Sequence, residues 1–169
     1  MPDYYDTDTQ LNEYLVFHYG EGAQVLGWEF GPVKALGFHK RLVGWIDTGR
    51  LRPGSRALDL GCAVGRITFE LSKFCDSVVG IDASKSFITC ADLIKASGTA
   101  SFRLTREGSL GTPAEVQLPA DLARDRVTFL QGDAADPPAS VGKFDVVILA
   151  NLLDRLAHPR KMLQKLPEI

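Results

Sequence analysis

The first third of the chain has apolar residues at helical spacing. In residues 9–19, TQLNEYLVFHY, they recur at intervals of three and four, which predicts a helix that Asp8 caps and Gly20 ends. A second helix is predicted over residues 32–47, although Gly37 within it lowers the helix propensity. We therefore expect a helical segment at the start of the chain.

The pattern changes at residue 56, where short apolar runs begin to alternate with helical periods. Strands are predicted for RALDL, SVVGID, RVTFLQGD and KFDVVILA, at 56–60, 77–82, 126–133 and 143–150. Helices are predicted at 64–74, 84–96 and 152–166. The strands are apolar on both faces, as strands of a parallel sheet covered by helices must be. The predicted fold is α/β, with a doubly wound, mostly parallel sheet.

The segment Thr99 to Ala123 interrupts this alternation, because it is too long for an ordinary helix-to-strand loop. SFRLTREG and PAEVQL alternate in part, and GSLGTP supplies turn residues. We predict an inserted β-hairpin near residues 100–118.

The chain stops soon after the last predicted helix, which leaves four strands in the predicted sheet. One of them would be an exposed, apolar edge strand, and such edges favour aggregation. We therefore expect that the last strands of a full fold are missing, and that this is part of a longer chain or that a partner completes the sheet.

Length and composition suit one globular domain over residues 1–169, with a helical lid at 1–50 and a cofactor-binding part at 51–169. The net charge of −2 gives no reason to expect nucleic acid as a partner. The longest apolar run, VVILA, is too short to cross a membrane, and the polar start is unlike a signal peptide. Three scattered cysteines predict no disulfide framework or metal site, and we expect a cytoplasmic protein.

A glycine-containing turn follows the first predicted strand, in LDLGCAVGR. Asp59 ends the strand, and Gly61 and Gly65 follow. The spacing is not the G-x-G-x-x-G of dinucleotide sites, and a carboxylate would repel a pyrophosphate. A cationic sulfonium with a free amino group would be attracted, so the turn favours S-adenosylmethionine over NAD.

Polar residues also end the other predicted strands. Asp82 lies about 20 residues beyond the turn, where an acid binds ribose hydroxyls in such folds. Asp133 and Ala134 could bind the adenine amino group, and Asn151 would lie beside the reactive methyl group. Each acid has a plainer interpretation: Asp82 could cap the next helix, and Asp133 could shape a turn.

The motifs LDLGCAVGR, GIDAS and QGDA, with Asn151, resemble those of class I S-adenosylmethionine-dependent methyltransferases, which have a Rossmann-like fold. Ala63 stands where that family usually has a middle glycine. The resemblance implies cofactor roles for Asp59, Gly61, Asp82, Asp133 and Ala134. The predicted cofactor-binding set also includes their motif neighbours Cys62, Ala63, Gly65, Ala83 and Gly132, and Asn151.

A narrower resemblance covers nearly the whole chain. YYDTDTQLNEYLVFHYG, the hairpin with REGSL, FLQGDAAD and NLLDRLAHPRKML are similar to the 4-mercaptohistidine N1-methyltransferases of ovothiol biosynthesis. That family occurs as a separate protein or as a domain of a sulfoxide synthase. The resemblance implies methylation of an imidazole nitrogen of 5-thiohistidine, with a sulfoxide synthase domain or a second copy of the chain as a possible partner.

The start of the chain is rich in aromatic residues, which could pack in the core or cover a flat substrate. We expect packing for Tyr14 and Phe17 and consider Tyr4, Tyr5, His18 and Tyr19 for the substrate side. The candidate catalytic residues are Asn151, Tyr5, His18 and Tyr19. We expect Arg66 to lie either near the carboxylate of the cofactor or in solvent. Asp154 and Arg155 could pair with each other or line the acceptor pocket. His158 is expected to end a turn, and Trp28 and Trp45 to lie in the core.

Three other functions are compatible with parts of the pattern. The chain could methylate another small molecule, or it could bind the cofactor or a partner without catalysis. An NAD-dependent oxidoreductase is the third alternative, and Asp59 and the glycine spacing disfavour it.

Overall fold

The computed structural model describes residues 5–27, 30–107 and 110–169 of this chain. The expectations for Tyr4, Trp28 and the Gly108-Ser109 turn of the hairpin lie outside these ranges. The helices are α1 Asp8–Tyr19, α2 Gly22–Val25, α3 Phe38–Val43, α4 Arg66–Leu71, α5 Lys85–Ser97 and α6 Pro159–Lys165. The strands are β1 Arg56–Leu60, β2 Ser77–Asp82, β3 Thr99–Glu107, β4 Leu110–Gln117, β5 Val127–Gln131 and β6 Val146–Ile148.

Four of the strands form a parallel sheet in the order β5-β2-β1-β6. Adjacent residues of β1 belong to different core clusters, with Ala57 in one and Leu58 in the other. The helices α4 and α5 contribute to the first cluster, and Met162 of α6 contributes to the second. Both faces of the sheet are therefore covered, and the predicted doubly wound α/β fold is confirmed.

The predicted hairpin is present as the antiparallel pair β3–β4, with Thr99 opposite Gln117. Phe102, Leu104 and Val116 carry one of its faces into the main core. The hairpin also contacts α1, so it connects the first segment of the chain to the sheet domain.

Two predicted helices are broken in the structure. In the segment 32–47, Gly37 adopts a left-handed conformation with φ of 66°, and only residues 38–43 form an α-helix. In the segment 152–166, a 3₁₀ turn at Leu153–Arg155 precedes α6, because Pro159 disfavours helical geometry at the residue before it. Thr7, and not Asp8, caps α1 by accepting the backbone N–H of Gln10.

The strand β6 is the short edge of the sheet next to β1. The side chains of Val146, Val147 and Ile148 are half-buried, and among the described strands β6 pairs only with β1. Apolar residues of the chain pack against both of its faces.

Candidate active site

A cavity of about 360 Å³ opens where the four parallel strands end. This is the edge at which open α/β sheets bind their ligands, and the volume is within the usual range for small-molecule sites. Seven predicted residues line it from the strand ends: Gly61, Ala63, Asp82, Ala83, Asp133, Ala134 and Asn151. Two more, Tyr5 and His18, line it from the first segment of the chain.

The turn between β1 and α4 has three residues with positive φ, namely Gly61 (72°), Ala63 (47°) and Gly65 (85°). Such a conformation is costly for alanine, which has a Cβ atom. Its backbone N–H donates to Oδ2 of Asp82 at 2.9 Å, and this bond holds the turn against the end of β2. A Cβ atom on Gly61 would lie 3.0 Å from Leu152, which also lines the cavity.

Asp82 joins two backbone segments at the rim of the cavity. Its Oδ2 atom accepts from Ala63 and its Oδ1 atom accepts from the N–H of Ser84, each at 2.9 Å. Burial raises the pKa of Asp82, while these backbone hydrogen bonds oppose that effect. The cap of α5 is Ser84, whose hydroxyl accepts from Phe87, so the plainer interpretation of Asp82 as a helix cap is wrong.

Asp133 and Asn151 line the cavity from the loops after β5 and β6. Asp133 accepts the N–H of Ala135 at 2.8 Å, so it shapes a local turn and also lines the cavity. Asn151 has φ of 52°, a left-handed conformation that asparagine tolerates better than most residues. Both side chains therefore reach the cavity from turns of defined geometry.

The first segment of the chain is held against the strand ends by polar contacts. The carboxylate of Asp6 accepts from the hydroxyl of Ser84 at 2.7 Å and from the N–H of Ser86 at 3.1 Å. Arg155 donates to the hydroxyl of Tyr5, and its guanidinium also lies over that ring. These contacts bring α1 to the cavity, where Tyr14, Phe17 and His18 contribute to its lining.

Residues 58–168 match the model of a methyltransferase domain. The chain belongs to this methyltransferase family. The methyltransferase predicted from the sequence motifs is thereby confirmed at the level of the family. No match was found among curated proteins.

Several solved structures share the fold of this methyltransferase domain. Magnesium protoporphyrin IX methyltransferase from Synechocystis PCC 6803, solved with bound SAM, matches with a TM-score of 0.63 and 20% identity over 99% of this chain and 68% of that chain. The glycopeptide N-methyltransferase MtfA, complexed with SAM, matches with a TM-score of 0.54 and 22% identity over 77% and 49%. YcgJ from Bacillus subtilis matches with a TM-score of 0.51 and 19% identity over 75% and 43%. The chain thus spans between 43% and 68% of the length of these structures.

Asp59, the residue on which the sequence argument for the cofactor depended, does not line the cavity of the methyltransferase domain. It is 1% exposed, and the hydroxyl of Thr68 donates to it at 2.7 Å. Burial is the main reason that its pKa rises to about 7, and the nearby charge of Asp82 adds to the rise. The structure therefore does not place Asp59 among the residues that line this cavity.

Four other predicted residues also lie outside the cavity lining: Cys62, Gly65, Gly132 and Tyr19. A Cβ atom on Gly65 would lie 2.5 Å from Phe129, so glycine here makes room for the core and not for a ligand. The hydroxyl of Tyr19 donates to the carbonyl of Val64 at 2.8 Å, and burial raises its pKa well above the usual value. Tyr19 therefore stabilises the glycine turn through this hydrogen bond and does not line the cavity.

Arg66 occupies neither of the positions expected for it. It is 7% exposed, pairs with Glu70 at 2.6 Å and lies over the ring of Tyr19. Its position beneath α1 follows from the packing of that helix, which the local sequence does not reveal. Trp45, expected in the core, is 79% exposed.

Several cavity residues were missed by the sequence analysis, notably Phe38, His39 and Phe87. Because the predicted helix over 32–47 is interrupted at Gly37, its sequence spacing did not show which side chains share one face of a helix. Nothing in that spacing indicated that Phe38 and His39 lie at the strand ends. Arg155 lines the cavity, which agrees with one of the two expectations for it. Asp154 is not among the lining residues.

Within the described ranges, no cluster of three or more potential ligands could hold a metal ion. None of the helices in those ranges is long and apolar enough to cross a membrane.

Proposed function

We propose that this chain binds S-adenosylmethionine at the strand ends and transfers its methyl group to a nitrogen atom of a small acceptor beside α1 and α3. The observation that carries the proposal is the position of Asp82, which lines the cavity at the end of β2 and is bonded to the β1–α4 turn. An acid at this place in an α/β sheet accepts the hydroxyl groups of a ribose. Membership of the methyltransferase family agrees with this cofactor.

Four residues of the cavity have a chemical role in this proposal. Asp82 has further lone pairs on both oxygens, which would accept the two ribose hydroxyls. Asp133 and the backbone of Ala134 would bind the adenine amino group. Asn151 would lie beside the methyl group. Two carboxylates, those of Asp82 and Asp133, line this cavity, whereas Asp59, on which the sequence argument against a pyrophosphate depended, does not.

The sulfonium cofactor would supply an activated methyl group, whose bond to sulfur breaks with the electron pair staying on sulfur. The residues of this chain must align the accepting nitrogen with that bond and exclude water. Alignment of two reactants can lower a barrier by roughly 7–11 kcal/mol. The contacts of Asp6 with α5 and of Tyr5 with Arg155 hold the first segment over the cavity, which suits a lid that excludes water.

The finer proposal is that the acceptor is 5-thiohistidine and that one of its imidazole nitrogens is methylated. The resemblance of the FHYG and NLLDRL segments to the ovothiol methyltransferases supports it. Two features of the cavity agree with it: the aromatic rings of Tyr14 and Phe87 suit a flat ring, and the guanidinium of Arg155 suits the carboxylate of an amino acid.

The cofactor proposal is tested by isothermal titration with S-adenosylmethionine, S-adenosylhomocysteine and NAD. We expect binding of the two sulfur compounds and none of NAD, because the turn after β1 lacks the G-x-G-x-x-G spacing of dinucleotide sites. Tight binding of NAD alone would overturn the proposal.

The acceptor is tested by incubating the protein with S-adenosylmethionine and 5-thiohistidine, with histidine as the matched control. We expect 5-thiohistidine to gain the mass of one CH₂ unit and histidine to remain unchanged. Asn151→Ala should lower the rate while leaving S-adenosylhomocysteine affinity within about threefold. Cofactor binding without methylation of 5-thiohistidine would favour a different acceptor or a non-catalytic binding module.

We also propose that the outer edge of β6 accepts a strand, either from a sulfoxide synthase domain or from a second copy of the chain. Among the described strands, β6 pairs only with β1. Light scattering of the purified chain, alone and with the synthase, measures whether either complex forms.

A further inference from the structure

His18 of α1 and His39 of α3 form a pair of adjacent rings, tilted relative to each other, in the wall of the cavity. Their ring centroids are 4.1 Å apart with an interplanar angle of 38°. Tyr14 lies against the ring of His18, and Phe17 and Phe38 lie against the ring of His39. The two imidazoles are therefore held in an aromatic part of a cavity that otherwise carries carboxylates at the strand ends.

Both rings are uncharged at neutral pH. Burial, followed by the effects of His39 and Arg66, holds the pKa of His18 well below its usual value. Burial and Arg66 lower the pKa of His39 to about 4, and Glu70 opposes this only in part. A neutral imidazole has one nitrogen that donates and one that accepts a hydrogen bond. The pair can therefore accept a hydrogen bond from a ligand.

His18 has unused hydrogen-bonding capacity. Its Nδ1 atom is enclosed and has no partner among the described residues. A buried polar atom left without a partner costs roughly 1–3 kcal/mol, so an incoming partner would stabilise the protein. His18 lines the cavity, so an acceptor bound there would lie beside this ring.

We propose that His18, which lies against His39, accepts a hydrogen bond from the ring N–H of the methyl acceptor, and that the site therefore selects a flat, uncharged azole that carries an N–H group. This inference rests on the proposed methyl transfer and specifies its substrate class. The hydrogen bond fixes one ring nitrogen at His18 and leaves the lone pair of the other directed away from it, toward the methyl donor.

The atoms and charges balance in this arrangement. The free ring nitrogen forms a bond to the methyl carbon as the bond between carbon and sulfur breaks, and the electron pair of that bond stays on sulfur. The ring becomes a cation and its N–H proton is then released to water. His18 receives the hydrogen bond without retaining the proton, because its basicity is low.

The first test compares His18→Phe, His18→Asn and the control His158→Asn in the transfer to 5-thiohistidine. Phenylalanine keeps the ring packing but cannot accept a hydrogen bond, whereas asparagine offers a carbonyl oxygen. We expect His18→Phe to raise the acceptor KM roughly three- to tenfold with a smaller change in kcat, since the bond is present before the transition state. His18→Asn should recover part of this loss. His158 is exposed at the start of α6 and outside the cavity lining, so its variant should match the wild type.

The second test does not require turnover. Imidazole and 1-methylimidazole are titrated into the complex with S-adenosylhomocysteine at about pH 8.5, where both ligands are mostly neutral, and followed by NMR. Imidazole has the N–H group and 1-methylimidazole does not. We expect the wild type and His39→Phe to prefer imidazole, and His18→Phe to lose that preference.

The outcomes separate this inference from the proposed function. If the wild type does not bind S-adenosylhomocysteine, the proposed function fails and the inference fails with it. If the wild type binds it but shows no preference for imidazole, or if His18→Phe keeps both the preference and the acceptor KM, the inference alone is overturned. Retained S-adenosylhomocysteine affinity in each variant confirms that the fold is intact.

Discussion

The carboxylate of Asp82 accepts the backbone N–H of Ala63 at 2.9 Å, across 19 positions of the sequence. One acid thus holds the turn after β1 and also lines the cavity at the end of β2. The bond links the shape of the glycine turn to the place proposed for the ribose. Substitution of this acid should therefore affect cofactor binding in two ways, by removing the ribose acceptor and by releasing the turn.

Asp82→Ala should weaken binding of S-adenosylhomocysteine by at least about tenfold, the loss expected when hydrogen bonds to a charged group are removed. Isothermal titration measures the effect. Asp92→Ala, at an exposed position of α5, is the control and should bind as the wild type does. Equal affinities for the two variants would remove the ribose assignment.

Ala63→Gly should not destabilise the protein and should raise the free energy of unfolding by up to about 1 kcal/mol. The left-handed conformation at φ of 47° costs an alanine about 1–2 kcal/mol, and this exceeds the greater backbone entropy that glycine loses on folding. Urea unfolding measures the change. In Ala96→Gly, at an exposed helical position, the same replacement should instead cost about 0.5–1 kcal/mol.

Gly65→Ala should destabilise the protein more than Gly54→Ala. Both glycines have φ near 85–88°, but an added Cβ atom at Gly54 has nothing within 4 Å, whereas at Gly65 it would lie 2.5 Å from Phe129. The difference in unfolding free energy isolates the clash, which we expect to be about 1–3 kcal/mol. Thermal or urea unfolding of the pair measures it, and Phe129→Leu in the Gly65→Ala background should recover part of the loss.

Asp59→Asn should change how stability depends on pH. The pKa of Asp59 is about 7 in the folded state against an ordinary value of 3.8, so the folded state binds the proton more strongly between these values. The unfolding free energy of the wild type therefore contains a contribution that falls as pH rises through this window. Asparagine does not ionise and still accepts from Thr68, so the variant lacks this fall.

The unfolding free energy of Asp59→Asn minus that of the wild type should increase by on the order of 2–3 kcal/mol as the pH rises from about 5 to about 8. Urea unfolding at both values measures the change. Asp92→Asn, on the exposed surface of α5, is the control for replacing an acid by its amide. A constant difference between Asp59→Asn and the wild type across this range would contradict the assignment.

The order of strands and helices was predictable because local spacing determines it. The apolar runs at β1, β2 and β5 and the periodic segment at α5 each contain enough residues to reveal their type. The hairpin was also predictable, since partial alternation and turn residues occur in a segment too long for a loop. The predicted helices over 32–47 and 152–166 were too long. The helical spacing of apolar residues continues through each segment, but Gly37 and Pro159 interrupt the helices themselves.

The candidate site was predictable only where residues follow directly from a strand end. Asp82, Asp133 and Asn151 reach the cavity because the carboxyl ends of parallel strands share one edge of the sheet. The same rule placed Asp59 in the cavity, where it does not lie. A strand end limits the position of a residue, but packing determines the direction of its side chain, and Thr68 holds that of Asp59 in the core.

The sequence by itself determined the class of the fold, the strands, and the acids at their ends, since each depends on neighbours a few residues away. Only the tertiary structure decided that His39 joins His18 in the cavity wall, that Arg66 is buried against Glu70, and that Gly65 makes room for Phe129. These relationships depend on how α1 and α3 pack on the sheet domain. Such packing is a property of surfaces assembled from distant segments, and no local pattern specifies it.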